Sequence, residues 1–314
     1  MMINSEKIDF RNAFFDKMYE IAIEKDDLVF LTGDISAHSL PKFSERFPSR
    51  FYNAGIAEQN MIATAAGLAM DNKKVFTYSM IPFITMRCFE HIKVDICSMN
   101  LPVTLIGEGS GLSYNNDGPT AHGTIDIALM RILPELTIFN PCDPISTSSI
   151  ATLSYENSGP TYVRLDKSKQ EAIYDINQNF ETGLNLFERG NDLCIISTGI
   201  MVHKALEISK ILKENGINTS VIDLYRLKPI NNNVLVDCMS QFDGIITLEE
   251  NSKIGGLGTI ISEVIIDFNL SIPILKFFLK DEQCFNYGQR DWLHKVYKID
   301  NSTVSKKIIS WVKK

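Results

Sequence analysis

Leu193-Cys-Ile-Ile-Ser197, then a helical stretch over 201–214, then Ser220-Val-Ile-Asp223 form the segment that decides the fold. Two short apolar runs of strand length flank a stretch whose apolar residues recur at three- and four-residue steps. Strand, helix and strand at this spacing imply a βαβ unit in a parallel sheet with both faces covered. The rhythm continues through a helix over 231–240, a strand at 244–248, a helix over 256–268 and a strand at 274–278. Upstream it recurs, with strands expected at 28–31, 75–78, 103–106, 136–139 and 162–165. Helices are expected between them, over roughly 58–70, 84–98, 124–133 and 145–157. A polar stretch without sustained period, about 167–189, separates the two series. The reading is therefore an α/β chain of two domains, residues 1–178 and a smaller unit over 179–314.

Composition narrows the class. The 314 residues are 45% hydrophobic and 22% charged, which excludes bulk disorder. The net charge of −7, from 31 basic against 38 acidic residues, argues against a nucleic-acid surface, which wants a basic excess. Cysteines stand far apart at 88, 97, 142, 194, 238 and 284, neither spaced for zinc nor arranged as a secreted disulfide framework. No apolar run reaches about 18 residues, the length a spanning helix needs. A cytoplasmic protein is expected, with no membrane and no nucleic-acid partner.

General chemical motifs are weak. Gly107-Glu-Gly-Ser-Gly111 is not followed by a helix, as a dinucleotide fingerprint requires. Gly255-Gly-Leu-Gly258 opens a helix with the wrong spacing, so close backbone packing is the expected reason for those glycines. The five histidines show no metal-ligand spacing. Ligands of open parallel sheets sit beyond the strands' carboxyl ends, which directs attention to the polar stretches 32–39, 53–60 and 108–122.

Within the second of these, Asn53-Ala-Gly-Ile-Ala-Glu-Gln-Asn60 resembles the pyrimidine-binding segment of the transketolase family of thiamine-diphosphate enzymes. Further matches follow in order: Phe83 before Arg87-Cys-Phe-Glu-His-Ile-Lys93, Asp117-Gly-Pro-Thr120 before Asp126-Ile-Ala-Leu-Met-Arg131, and Pro141-Cys-Asp-Pro144. Ser197-Thr-Gly-Ile-Met-Val-His203, Val221-Ile-Asp-Leu-Tyr-Arg-Leu-Lys-Pro229 and Leu248-Glu-Glu-Asn251 resemble the family's C-terminal domain. The first domain then corresponds to a pyrimidine-binding domain and the second to a transketolase C-terminal domain.

The resemblance implies roles. Glu58 would give a hydrogen bond to a ring nitrogen of the cofactor's aminopyrimidine, and the cofactor would supply a carbon nucleophile and an electron sink. For that task the carboxyl must hold or share a proton, and an apolar, buried setting is expected to dominate over the pull of the helix start. Phe83 would stack on the aminopyrimidine, with packing in the core as the alternative. Ile56 and Asp34 join the cofactor set, a turn or helix cap being the alternative for Asp34. Arg11 and Arg164 align with arginines that grip a sugar phosphate, guanidinium geometry suiting that role; surface solvation is the alternative. Asp117 would bind a donor hydroxyl, and Arg131 a phosphate unless it pairs with a helix acid. His38 falls near a phosphate-binding serine position.

Two departures stand out. Ala121 occupies the usual substrate histidine position, and Gly109 another. His122 either takes over the vacated space or simply begins a helix. The family's Gly-Asp-Gly…Asn motif, which holds the diphosphate through a divalent cation, is not found. The resemblance thus implies a split enzyme whose N-terminal partner subunit carries Mg2+ or Ca2+ and the diphosphate. A heterotetramer, with self-association of this chain, is the implied assembly, and activity requires the partner. The expected reaction transfers a two-carbon ketol unit between sugar phosphates or related sugars. The alternatives are a decarboxylating subunit like a 2-oxoacid dehydrogenase β chain or a deoxyxylulose-phosphate synthase, and a noncatalytic scaffold.

Overall fold

The computed structural model describes residues 7–187 and 189–313. Its strands are β1 (Ile8–Asp9), β2 (Leu28–Thr32), β3 (Phe51–Asn53), β4 (Lys74–Met80), β5 (Val103–Glu108), β6 (Thr137–Phe139) and β7 (Thr161–Leu165). There follow β8 (Lys169–Gln170), β9 (Asn185–Phe187), β10 (Leu193–Ser197), β11 (Thr219–Asp223), β12 (Arg226–Lys228), β13 (Gly244–Ser252) and β14 (Ile274–Leu279). One sheet has the order β12-β6-β7-β5-β4-β2-β3, a second the order β14-β13-β10-β11-β9, and β1 pairs with β8 in a small ribbon. All pairings within the two sheets are parallel except β12 with β6 and β9 with β11. This is the two-domain α/β architecture that the alternation implied.

The sequence forces it through burial. Every residue of β2, β5, β7, β10, β11 and β13 is buried, as strands covered on both faces must be. One apolar cluster runs continuously from Met61, Val103 and Leu105 of the first domain to Cys194, Ile196 and Ile222 of the second. The joint also carries charge. Arg290 donates to Asp166 at 2.8 and 3.0 Å and to Glu250 at 2.9 Å, and His294 meets the same Glu250. These guanidinium contacts hold the Glu250 carboxyl well below the usual carboxylate range despite its burial, and lower Asp166 as well. Gly111 admits this cluster. Its φ is +58°, and a Cβ there would lie 2.0 Å from Glu250 Oε2.

Three details differ from expectation. The helix expected over 84–98 is broken into Ile81–Ile84, Phe89–His91 and a π-helical run Ile92–Cys97. The break turns Met86 and Arg87 outward while Thr85 and Cys88 stay buried, and π-type irregularities recur at functional sites. Strand β12 leaves the second domain to complete the first domain's sheet, held by Lys228 Nζ donating to the Arg131 carbonyl at 2.9 Å. Helices Arg290–Tyr297 and Asn301–Val312 extend the second domain past the last expected strand. The second of them starts at Asp300, whose carboxylate accepts from Thr303 N at 3.1 Å.

Candidate active site

Parallel strands β2, β3 and β4 end at one edge, and Glu58 opens the helix Glu58–Met70 just beyond it. The Glu58 side chain is 1% exposed. Ser79 Oγ, near the end of β4, donates to Oε1 at 3.0 Å, and Arg87 Nη1 donates to Oε2 at 2.5 Å. Gly33, just past β2, closes the other side. A Cβ there would stand 3.3 Å from Glu58 Cγ and 3.2 Å from Ser79 Oγ, a tight fit that glycine relieves. The apolar surroundings expected for Glu58 are thus corrected, since a buried carboxylate this deep is stable only when paired and hydrogen-bonded.

The Arg87 guanidinium also lies over the Phe83 ring, 4.3 Å from its centroid, with 39% of the side chain exposed. Phe83 is half-buried, and Ile56 is 77% exposed. Asp34 has φ +58°. Its Oδ1 accepts from Asn53 Nδ2 at 2.9 Å, and its N–H donates to Asn53 Oδ1 at 3.2 Å. Asp34 therefore braces the turn that delivers Glu58, the cap-like alternative. Carboxylate, aromatic face and exposed aliphatic side chain form one polar and two apolar surfaces that fit an aminopyrimidine ring. The Ser79 and Arg87 bonds fix the carboxylate's place among them.

The arginines are engaged elsewhere. Arg11 donates to Asp9 at 2.6 and 2.9 Å and to Glu108 at 2.9 Å. Glu108 also accepts from the Tyr114 hydroxyl at 2.9 Å. Arg164, 4% exposed, meets Asp126 through two nitrogens at 2.5 and 3.1 Å and donates to the Gly123 carbonyl at 3.0 Å. Surface solvation is thereby corrected for Arg164, whose guanidinium is taken up inside the chain. Arg131 donates to the Gly255 carbonyl at 3.2 Å and pairs with Glu263, a helix acid, so the pairing alternative is the one formed. His38 and Asp117 are exposed on loops. His122 is 3% exposed and precedes the helix Asp126–Arg131, lining a cavity between the domains.

Sequence reasoning did not assign Ser79 or Arg87. Arg87 stood inside a quoted motif, and Ser79 is the next-to-last residue of a strand whose end faces the site. The Gly255–Gly258 run has a reason beyond packing. Glu249 accepts backbone N–H bonds from Leu257 and Gly258, each 2.7 Å, while burial pushes its carboxyl up to about 7. A Cβ at Gly256 would lie 2.2 Å from Glu249 Oε2. Those glycines cradle a carboxylate of the chain itself.

A two-domain α/β unit with a buried helix-start carboxylate at parallel strand ends is the arrangement of a pyrimidine-binding domain. Residues 6–171 match the transketolase pyrimidine-binding domain, residues 184–304 match the transketolase C-terminal domain, and the chain belongs to the transketolase family. It is 34% identical to the putative transketolase C-terminal section of Methanocaldococcus jannaschii, spanning 97% of this chain and 96% of that one. It is 32% identical to an apulose-4-phosphate transketolase subunit of Phocaeicola vulgatus, spanning 97% of each. A split gene transketolase, solved as an inactive beta4 tetramer, superposes with TM-score 0.88 at 33% identity over 96% of this chain and 98% of that one. The chain is the C-terminal unit that split members of the family carry as a separate subunit. Among the described residues no helix is long and apolar enough to cross a membrane.

Proposed function

We propose that this chain is the C-terminal subunit of a split, thiamine-diphosphate-dependent transketolase-like enzyme. It moves a two-carbon ketol unit between sugar phosphates or related sugars in the cytoplasm. The observation that carries the reading is Glu58, buried at a helix start with Ser79 and Arg87 on its two oxygens. Thiamine diphosphate, when bound, supplies the carbon nucleophile and the electron sink. Glu58 would present its carboxyl to the ring nitrogen, and Ser79 fixes the carboxyl's rotation by donating to Oε1. Phe83 and Ile56 offer the apolar faces against the ring. Arg87 covers both Glu58 and Phe83, so its guanidinium would have to move aside for a ring to reach either.

The partner is an N-terminal subunit carrying the diphosphate and its Mg2+ or Ca2+, in a heterotetramer of two chains of each kind. The likeness to a relative solved as an inactive beta4 tetramer supports self-association of this chain and a need for the partner. Residues 1–178 form the pyrimidine-binding domain and 179–314 the C-terminal domain. Asp117 and His38 remain the exposed candidates for reading the sugar; Arg11, Arg131 and Arg164 join them only by leaving the carboxylates they pair with in the free chain, and His122 is buried.

The reconstituted pair, assayed with ketose phosphates as donors, tests the proposal. Ketol transfer that vanishes in Glu58→Ala, while size-exclusion chromatography shows assembly intact, is the expected result. Unchanged turnover in that variant refutes the role of Glu58. Decarboxylation of pyruvate without ketol transfer refutes the reaction class.

A further inference from the structure

Within the chain, Arg87 already makes the two contacts that the site would offer a ring. Its Nη1 donates to Glu58 Oε2 at 2.5 Å, and its guanidinium carbon stands 4.3 Å from the centroid of the Phe83 ring. A guanidinium is planar, delocalised and edged with N–H donors, so one group can bond a carboxylate and lie on an aromatic face together. Stacked aromatic rings have centroids ~4.5–7 Å apart, so a ligand ring on that face of Phe83 would fall where the guanidinium stands. The carboxylate is shut in the same way. Ser79 holds Oε1 at 3.0 Å, Arg87 holds Oε2, and the Glu58 side chain is 1% exposed.

The guanidinium can leave without the backbone moving. The Arg87 N–H donates to the Pro82 carbonyl at 3.4 Å, and the Arg87 carbonyl accepts from Gln59 Nε2 at 3.2 Å. To either side, Thr85 Oγ1 donates to the Ile81 carbonyl at 2.6 Å and Cys88 Sγ to the Phe83 carbonyl at 3.2 Å. Both of those residues are buried. The turn is thus pinned from beneath, while 39% of the Arg87 side chain faces solvent. Rotation about the arginine's own torsions is the motion left to it, and exposed side chains rotate fast.

We infer that Arg87 is a built-in stand-in for the pyrimidine ring, which keeps the site shut in the lone chain and is displaced by a ring that enters. The inference rests on the reading of this pocket as a pyrimidine site and concerns how that site is regulated. A charge-assisted hydrogen bond and a cation–π contact act on one group, so the open arrangement is the minor one. A ligand that binds only the open arrangement loses affinity in proportion to the open fraction. An open fraction of about one tenth weakens binding about tenfold.

The test uses the full chain without a partner. The probe is 4-amino-5-hydroxymethyl-2-methylpyrimidine at pH 8, an uncharged ring whose binding does not answer to the arginine's charge. By isothermal titration calorimetry, Arg87→Ala should bind the probe at least tenfold more tightly than the parent, and Arg87→Ala/Glu58→Ala should lose that gain. Methylguanidinium should compete with the probe in Arg87→Ala, because it refills the space the side chain has left. In the parent, with its arginine guanidinium groups isotopically labelled, the Arg87 resonance alone should move saturably by NMR as the probe is added. The gate is overturned if Arg87→Ala, with the parent's circular dichroism spectrum, binds the probe no more tightly. It is equally overturned if the Arg87 resonance stays in place while the parent binds, and that measurement decides alone should Arg87→Ala not fold. An undiminished gain in the double variant overturns the location at Glu58. Tighter binding by Arg87→Ala without ketol transfer by the reconstituted pair leaves the gate standing and removes the catalytic reading.

Discussion

Arg164→Met is the most informative substitution because two readings of Arg164 predict opposite results. Arg164 and Asp126 are 4% and 2% exposed, joined by two N···O contacts, with the Tyr162 hydroxyl donating to the same carboxylate at 2.7 Å. Methionine keeps the length of the stem and removes the charge, leaving the Asp126 carboxyl buried with hydroxyl and amide donors alone. Breaking one side of such a pair costs about 3–5 kcal/mol, chiefly because the remaining charge is stranded. For a chain of this size a loss of that order lowers the melting temperature by on the order of 10 °C. Asp126→Asn added to Arg164→Met removes the stranded charge, and the double variant should recover more than half of the loss. Differential scanning calorimetry of the three variants measures this. If instead Arg164 grips a sugar phosphate in the working enzyme, Arg164→Met should leave the melting temperature in place. It would then raise KM for phosphorylated ketoses alone. A melting temperature within about 2 °C of the parent refutes the structural role argued from the buried pair.

Two further outcomes follow from charges the site does not use. Burial pushes the Asp223 carboxyl from 3.8 up to about 7, with the Tyr174 hydroxyl donating to it at 2.8 Å. The folded chain therefore binds a proton there more tightly than the unfolded one, and the contribution of Asp223 to stability declines as pH rises from about 4 to 7, then levels off. Urea unfolding at pH 5 and pH 8 should show Asp223→Asn gaining on the parent toward pH 8, by up to a few kcal/mol; equal differences at both pH values would count against it. Gly111→Ala should lower the melting temperature sharply, because φ of +58° disfavours alanine and its Cβ would collide with Glu250. The strain alone costs about 1–3 kcal/mol, and a thermal scan superposing on the parent would refute the argument.

Much of the fold was legible because its strands are buried on both faces. β10 was read to the residue, as was the helix Met201–Glu214, whose three- and four-residue apolar steps face that sheet. β12 was not legible. Three residues, Arg226–Lys228, carry no periodicity, and their partner β6 belongs to the other domain. The segment 84–98 shows helical apolar spacing throughout, and nothing local marks the widening of the helix at Ile92–Cys97. At the site, Glu58 and Phe83 could be picked out by motif. Ser79 and Arg87 gain their meaning only where the end of β4 and the broken helix converge on one carboxylate. Arg164 shows the converse limit, since an arginine at a strand's end looks available until Asp126 is found against it.

The excursion of β12 makes the large sheet a joint product of both ends of the chain. Cutting the chain in the linker would strand β6 as an outer strand with its hydrogen-bonding edge open to any passing backbone, a template for misassociation. The sheet is also unfinished until residue 228 has left the ribosome, so the first domain cannot complete itself ahead of the second. Translation order and proteolytic integrity therefore bear on both domains together, and the halves are poor candidates for life as separate modules.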